Sequence, residues 1–418
     1  MADNQSIEIL KFIKLEIKGV EIETSYIDSI DIFESLTQPG ITGKLSIQDY
    51  QGLRELSSVF AGDIIKLSYA IDGQGSDALV LEFVVYTDEG SMINPQHTYD
   101  TLQLGFCSKW LLDGLTKQVS KPYKDKYIHE IIQDILTTEC SGAQIGYIEP
   151  TLQKMDYFLS PRWTPIHTIK YLLSFALNTN KIGGYIIWTD LKTDKINVTT
   201  LNYLMNSGIP RAINDFVILS SNQRYQGRIK EMNVESSFDA IRMVNNGIQQ
   251  NVFYGFNFDT KKFWTSEDKI TDMKNKRLSK KLPILERYKE SDKNKKYARF
   301  NFCPLFPSTD NPVTDDDKFQ DLIKGQLYNH YAFLSSDIFK INIETLGDNQ
   351  RRVGQLVLLQ WPSQSHNADG KSDQKQMKSN DYLIREIRHT FSAYLDYKQF
   401  VTLVIDGYQE YDAPIMNW

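Results

Sequence analysis

Ile41-Thr-Gly-Lys-Leu-Ser-Ile47 and Asp337-Ile-Phe-Lys-Ile-Asn-Ile343 share one pattern. Apolar side chains alternate with polar ones, the period of a strand with one buried face. Three further pairs of segments follow in the same order. Gly62-Asp-Ile-Ile-Lys-Leu-Ser68 matches Gly354-Gln-Leu-Val-Leu-Leu-Gln360, and Leu81-Glu-Phe-Val-Val-Tyr-Thr87 matches Ile384-Arg-Glu-Ile-Arg-His-Thr390. Asp100-Thr-Leu-Gln-Leu-Gly-Phe106 matches Gln399-Phe-Val-Thr-Leu-Val-Ile405. Any two antiparallel meanders look alike over one such segment. Four matches in one order, two of them with long polar loops between, point to a duplicated module.

Outward from these segments, residues 1–113 read as short strands punctuated by Pro39-Gly40, Gly62-Asp63 and Asp72-Gly73-Gln-Gly75. Along Lys11–Lys18, Phe12, Lys14, Glu16 and Lys18 are expected to face one way, and Lys11, Ile13, Leu15 and Ile17 mostly the core. Regular short strands predict an antiparallel barrel or sandwich. The expected fold class is mainly β with α/β inserts, built on two similar antiparallel β-barrel domains. Residues 1–113 form the first, and 211–262 with 325–418 form the second and a C-terminal tail.

Two inserts interrupt them. Within 114–210, Tyr127, Ile128, Ile131, Ile132, Ile135 and Leu136 recur at helical spacing, and Thr164-Pro165 caps a second helix carrying Ile166, Ile169, Leu172, Leu173 and Ala176. Tyr185–Thr189 and Ile196–Thr200 predict a hairpin beside them. The stretch 263–324 is polar, with Pro304, Pro307 and Pro312, and is expected to be irregular and partly helical. A helix is expected over Gln320–Leu334, a hairpin around Asn246-Gly247, and a polar loop from Gln364 to Asn380.

The chain has 418 residues, 41% hydrophobic, enough for more than one core. Its net charge of -6 argues against a nucleic-acid-coating surface. Cys107, Cys140 and Cys303 are distant and odd in number, so neither a disulfide framework nor a zinc site is expected. The first ten residues lack a basic stretch followed by an apolar one, and no run of 18 apolar residues occurs, so neither a secretory signal nor a membrane span is expected.

The search for chemistry yields no catalytic, cofactor-binding or metal residues. His129-Glu130 resembles the start of a zinc-protease helix, but Gln133 and Asp134 fill the turn where a second His belongs, and a solvent-facing pair is expected. Gly73-Gln-Gly75 has no helix behind it and is no phosphate loop. His97, His129, His167, His330, His366 and His389 are scattered. Lys274, Lys276, Arg277, Lys280 and Lys281 form a basic cluster, but Glu286, Glu290 and Asp292 lie close and stacking aromatics are lacking, so a solvated loop is expected.

The chain resembles the central baseplate hub protein of contractile-tail phages and the hub region of type VI secretion spike proteins. The resemblance lies in Gly40-Ile-Thr-Gly-Lys-Leu-Ser-Ile-Gln-Asp49 with Gly62-Asp63, in Trp163-Thr164, Tyr171-Leu172, Ala176 and Tyr185-Ile-Ile-Trp-Thr-Asp190, and in Asp381-Tyr-Leu-Ile-Arg-Glu-Ile-Arg-His389 with Val401-Thr-Leu-Val404. It spans nearly the whole chain in element order, with sparse identities. It implies two tube-type barrel domains, a homotrimer, no catalytic residues and no cofactor. Three chains with two modules each would close a pseudo-sixfold ring, sixfold toward the tail tube or a tube-initiator ring and threefold toward a trimeric spike protein. Other baseplate wedge proteins would surround it, and DNA would pass through its lumen without specific binding. The expected place is the virion tail baseplate, assembled in the host cytoplasm. The alternatives are a receptor-binding or fibre-attachment baseplate protein and a peptidoglycan hydrolase.

Overall fold

The computed structural model describes residues 10–50, 59–71, 78–92, 100–206, 208–217, 227–236, 250–257, 261–269, 299–305, 324–326, 328–330, 332–333, 338–360, 380–392 and 396–406. The expected Gly73–Gly75 turn, the Asn246-Gly247 hairpin, the basic cluster Lys274–Lys281 and the loop after Gln364 lie outside these residues.

The first module contains β1 (Leu10–Ile17), β2 (Val20–Ile22), β3 (Ile27–Ser35), β4 (Thr42–Asp49), β5 (Ile64–Ile71), β6 (Leu79–Met92) and β7 (Asp100–Cys107). The alternation along β1 is realised from Phe12 onward: Ile13, Leu15 and Ile17 are buried, while Phe12 and Lys14 are exposed; Lys11, expected on the core side, is exposed, at the register shift between Leu10 and Phe12. The Gly40–Asp49 motif carries its glycine for a packing reason. A side-chain carbon on Gly43 would stand 2.2 Å from the Phe106 ring and 2.5 Å from the Asp31 carbonyl, so the β3–β4–β7 surface closes only over a bare backbone.

An α/β unit follows: α1 (Lys109–Thr116), β8 (Pro122–Tyr127), α2 (Ile128–Glu139), β9 (Gln144–Ile148), β10 (Lys154–Leu159), α3 (Pro165–Phe175), β11 (Tyr185–Asp190), β12 (Lys195–Thr200) and α4 (Leu201–Met205). The predicted apolar stripe of α2 is buried from Ile128 to Leu136, whereas Tyr127 stands just before the helix and is exposed, and Thr164 caps α3 by accepting from the His167 amide. β11 and β12 pair antiparallel from Tyr185↔Thr200 to Asp190↔Lys195, as the hairpin pattern requires. Ile132, Ile135, Ile169 and Leu172 share one core with Tyr185, Ile187, Ile196 and Val198 of that hairpin. None of the helices is long and apolar enough to cross a membrane, among the described residues.

The second module contains β13 (Phe216–Val217), β14 (Ile229–Ser236), β18 (Phe339–Leu346), β19 (Leu356–Gln360), β20 (Asn380–Ser392) and β21 (Tyr397–Ile405). Between β14 and β18 lie β15 (Gln250–Asn257), β16 (Lys262–Lys269) and β17 (Arg299–Leu305). These three differ from the sequence expectation. β15 does not join the second module: it pairs antiparallel with β16 and parallel with β17 in a sheet of its own. Strand character is local, but the choice of sheet is not, and a parallel partner more than forty residues away leaves no local trace. In the expected Gln320–Leu334 helix, residues 324–326, 328–330 and 332–333 are helical.

Strand order tests the duplication. The first module runs β3-β4-β7-β6-β5-β1 and the second β14-β18-β21-β20-β19-β13. The four matched sequence segments fall on β4/β18, β5/β19, β6/β20 and β7/β21, corresponding places in the two orders. The last pairing differs: β1 runs antiparallel to β5, and the two-residue β13 runs parallel to β19. The modules are joined into one 13-stranded sheet through β20 and β3. Neither closes into a barrel through strand pairing among the described residues. Each keeps its own apolar core, with Ile32, Leu45, Leu67 and Leu104 in the first and Ile341, Val357, Leu383 and Leu403 in the second.

Candidate assembly interface

The joint between modules is an antiparallel ladder from Glu386↔Ser35 to Ser392↔Ser29. β20 is long enough to serve two partners on one side. Its first residues, Asn380–Leu383, pair with β19, and after a bulge between Ile384 and Glu386 the rest pairs with β3. The bulge turns the strand from its own module toward the other.

On the solvent face of the joint, Arg388 forms a fork with Asp31, at 3.0 Å from Nε and 2.8 Å from a terminal nitrogen. The Thr390 hydroxyl donates to the same carboxylate at 2.7 Å. The guanidinium also lies over Phe33 and Phe400, at 5.9 and 5.5 Å. The hydrogen bond to Asp31 raises the Arg388 pKa still further, so the guanidinium stays charged.

Beneath the sheet is a buried polar network. Glu34 is 2% exposed. Its carboxylate accepts the Leu191 amide at 3.0 Å, from the β11–β12 tip, and the Val353 amide at 3.4 Å, from the second module. His389 Nε2 stands 3.8 Å away, and its Nδ1 meets the Tyr397 hydroxyl at 2.7 Å. Gln399 donates to Tyr397 at 2.9 Å and to the Asp348 carbonyl at 2.8 Å, and accepts from Arg351. The Tyr397 ring stacks on Phe391 at 4.4 Å and meets Tyr69 of β5 edge-on at 5.7 Å. Burial pushes the phenols of Tyr69 and Tyr397 well above their ordinary pKa, so both stay neutral. One carboxylate thus ties together β3, the α/β unit and the second module.

The motif Tyr185–Asp190 explains how that unit is fixed. Tyr185 donates to the Pro150 carbonyl at 2.8 Å, Trp188 to Thr199 at 3.1 Å and Thr189 to the Pro39 carbonyl at 2.8 Å. Asp190 pairs with Arg352 at 2.9 Å. Asn329 adds a clamp from the far side, accepting the Tyr185 amide at 3.0 Å and donating to the carbonyls of Ser174 and Ala176. Sequence reasoning missed Glu34 on β3, Asn329 on a helical turn and Arg351 in the β18–β19 connection, because residue type alone does not separate a buried polar side chain from a solvent-facing one.

The face opposite the cores runs unbroken across both modules. Lys44, Lys340, Arg388 and Lys398 on it each meet a carboxylate: Glu89 at 2.8 Å, Glu235 at 2.9 Å, Asp31 at 2.8 Å and Glu344 at 3.9 Å. Glu231 and Glu386 lie on the same face, so its balance is neutral to acidic.

Elsewhere the singled-out groups serve structure. His129 and Glu130 are half-buried rather than solvent-facing. His129 Nδ1 contacts Thr151 at 3.0 Å, and Glu130 accepts the Tyr127 amide at 2.9 Å, closing the start of α2. His167 packs against Trp163 at 4.7 Å. Cys107 and Cys140 are buried thiols pushed up to about 11 and about 12 by desolvation. Among the described residues no group of three or more His, Cys, Asp or Glu could hold a metal ion.

Neither a family model nor a curated protein matches this sequence. The fold has counterparts among solved structures. A tail protein from Neisseria meningitidis superposes with a TM-score of 0.56 at 13% identity, covering 94% of this chain and 96% of that one. A 43 kDa tail protein of prophage MuSo2 from Shewanella oneidensis gives 0.54 at 11% identity, covering 94% and 98%. A chain of the Francisella PdpA–VgrG complex gives 0.50 at 10% identity, covering 97% of this chain and 60% of that one. The chain therefore has the fold of phage tail proteins, shared with a component of a VgrG complex.

Proposed function

We propose that the chain is the structural baseplate hub of a contractile phage tail. Three copies form a ring of six modules that adapts the sixfold tail tube to a trimeric central spike and lines the channel for DNA. The observation that carries this reading is the repeated strand order fused into one sheet through β20 and β3. Two similar modules held at a fixed step within one chain need only cyclic closure to complete a ring. The neutral-to-acidic sheet face suits a lumen through which DNA slides, because unpaired cations there would hold phosphates. The likeness to two tail proteins over nearly their whole lengths supports the same reading. The ring would belong to the virion baseplate, contacting tube, spike and wedge proteins, after assembly in the host cytoplasm. No turnover of peptidoglycan, nucleic acid or nucleotides is expected of it.

Mass measurement of the complex isolated on a tag carried by this chain, with imaging of the same sample, tests the proposal. Three copies around an open channel are the expected result. One or two copies, or a solid centre with a basic lining, would overturn it.

A further inference from the structure

One cavity lies where three parts of the chain meet. It measures about 500 Å³, within the range of clefts that hold a ligand. Leu36 borders it just after β3, Lys170 and Leu173 from α3, Tyr185 and Ile187 from β11, and Phe333 from the helical residues before β18. Leu36, Leu173 and Ile187 are buried, and Phe333 leaves 42% of its surface in solvent. Lys170 is exposed and forms no ion pair among the described residues. That sets it apart from Lys44, Lys340, Arg388 and Lys398 on the sheet face, each of which meets a carboxylate. An apolar hollow beside an unpaired ammonium fits an occupant that sets acidic groups next to apolar ones.

The chain itself carries such a segment. Glu410-Tyr-Asp-Ala-Pro-Ile-Met416 places two acids before a run of apolar residues, and Gly407–Trp418 contains no Lys or Arg. This stretch lies outside the described residues, but its point of departure is close to the cavity. Ile405 of β21 pairs with Phe339 at the start of β18. Phe333 stands six residues before Phe339, a separation of at most about 20 Å. The ten residues from Asp406 to Met416 can reach about 33 Å. On a tether of that length the effective concentration is on the order of millimolar, so a contact too weak for a free peptide is populated within the chain.

We propose that Glu410–Met416 of the same chain occupies this cavity. Ile415 and Met416 lie against Leu36, Leu173 and Phe333, and the acidic pair lies beside Lys170. The segment thereby straps the last strand of the second module to the α/β unit.

Hydroxyl-radical oxidation of Phe333, read by mass spectrometry, tests the proposal on the full chain, on a chain stopped after Asp406, and on a full-length variant carrying Ile415→Asp and Met416→Asp. The stopped chain and the double variant should both oxidise Phe333 at least threefold faster than the full chain. The double variant alone carries the comparison if the stopped chain does not fold. Phe60, on the first module and 65% exposed, should oxidise equally in all three. A synthetic peptide of residues 407–418 should restore the protection of Phe333 in the double variant. Lys170→Glu added to that variant should weaken the peptide's binding at least threefold, and by less at high salt. Equal oxidation of Phe333 in the full chain and the double variant would overturn the proposal. A protection that fades as the full chain is diluted would assign the cavity to a second copy and overturn it as well. Neither outcome bears on the hub reading.

Discussion

The two modules share a strand order and differ in what covers it. Thr345 and Gln399 face each other at one end of the second module and are 0% exposed. Their counterparts in the first module, Asp49 and Asp100, also face each other and are partly exposed. The covered pair sits against the β3–β20 joint, and Gln399 binds Tyr397, Arg351 and the Asp348 carbonyl. The same backbone position is therefore a buried junction in one copy and a polar strand end in the other. The duplication preserved the sheet and let the periphery diverge. One module has a long antiparallel β1 with β2 attached, the other only two residues of parallel β13. What stayed constant is the four-strand order shared by both modules.

The largest expected effect lies at the joint itself. Glu34→Ala removes the acceptor of two buried amides and opens a cavity between three parts of the chain. It should lower stability by about 3–5 kcal/mol, measured by chemical denaturation. Glu34→Gln, which keeps one carbonyl acceptor, should recover part of the loss. Near-wild-type stability of the alanine variant would mean that the modules are not held through this residue.

Next comes the contrast between β3 and β14, the first strands of the two orders. Ile30 of β3 pairs with Leu45, and Val234 of β14 pairs with Ile341 at the corresponding place. Ile30 is 1% exposed, and Val234 is 39% exposed. Ile30→Ala should cost about 2–4 kcal/mol, as for a fully buried aliphatic side chain. Val234→Ala should cost less than about 1 kcal/mol in the isolated chain, where the side chain is already half in water. Equal losses in the isolated chain would show that β14 is already covered.

The modules were legible because a half-buried strand writes its period into the sequence. Ile41–Ile47 and Asp337–Ile343 do so plainly, and the stripes of α2 and α3 do so at helical spacing. The joint was not legible. β3 and β20 lie some 350 residues apart, and nothing local in Ile384–Thr390 says which strand its open side will meet. The buried network was hidden for a related reason: Glu34, His389 and Gln399 occupy core-facing places, where polar residues interrupt the pattern instead of extending it. β15–β17 were obscured by polar composition, since β16 reads Lys-Phe-Trp-Thr-Ser-Glu-Asp-Lys. The His129-Glu130 pair was seen, but its partners Thr151 and the Tyr127 amide become visible only when β8, α2 and the following turn come together.

A smaller effect separates the counterpart strand ends. Gln399→Leu should cost about 1–3 kcal/mol by leaving Tyr397, Arg351 and the Asp348 carbonyl short of partners. Asp100→Leu should change stability by no more than about 0.5 kcal/mol, in line with surface substitutions. Thermal melts of the two variants decide it. Comparable losses would remove the distinction between a covered and an open module end.

The smallest expected effect is a pH dependence confined to β14. Lys340 and Asn342 donate to Glu235 at 3.0 and 2.9 Å, and the Lys340 hydrogen bond is the largest cause of the lowering of the Glu235 pKa below the usual carboxylate range. A carboxyl whose folded value lies below its unfolded value contributes stability above the unfolded value, about 4.3, and loses it as pH falls through the folded one. Protection of the β14 amides should therefore hold from neutrality down to roughly pH 5 and then fall. The side chain is 47% exposed, so solvent screening limits the loss to roughly 0.2–0.5 kcal/mol. Hydrogen exchange with correction for the intrinsic pH dependence reads it, and Glu235→Gln should flatten the profile. β3 gives the internal control. It is flanked by β4 and β20, so the same acidification should leave its protection unchanged until the molecule unfolds as a whole. If β14 and β3 instead lost protection together at one pH, β14 would be as firmly held as an interior strand in the isolated chain, and the difference drawn between the two strands would not stand.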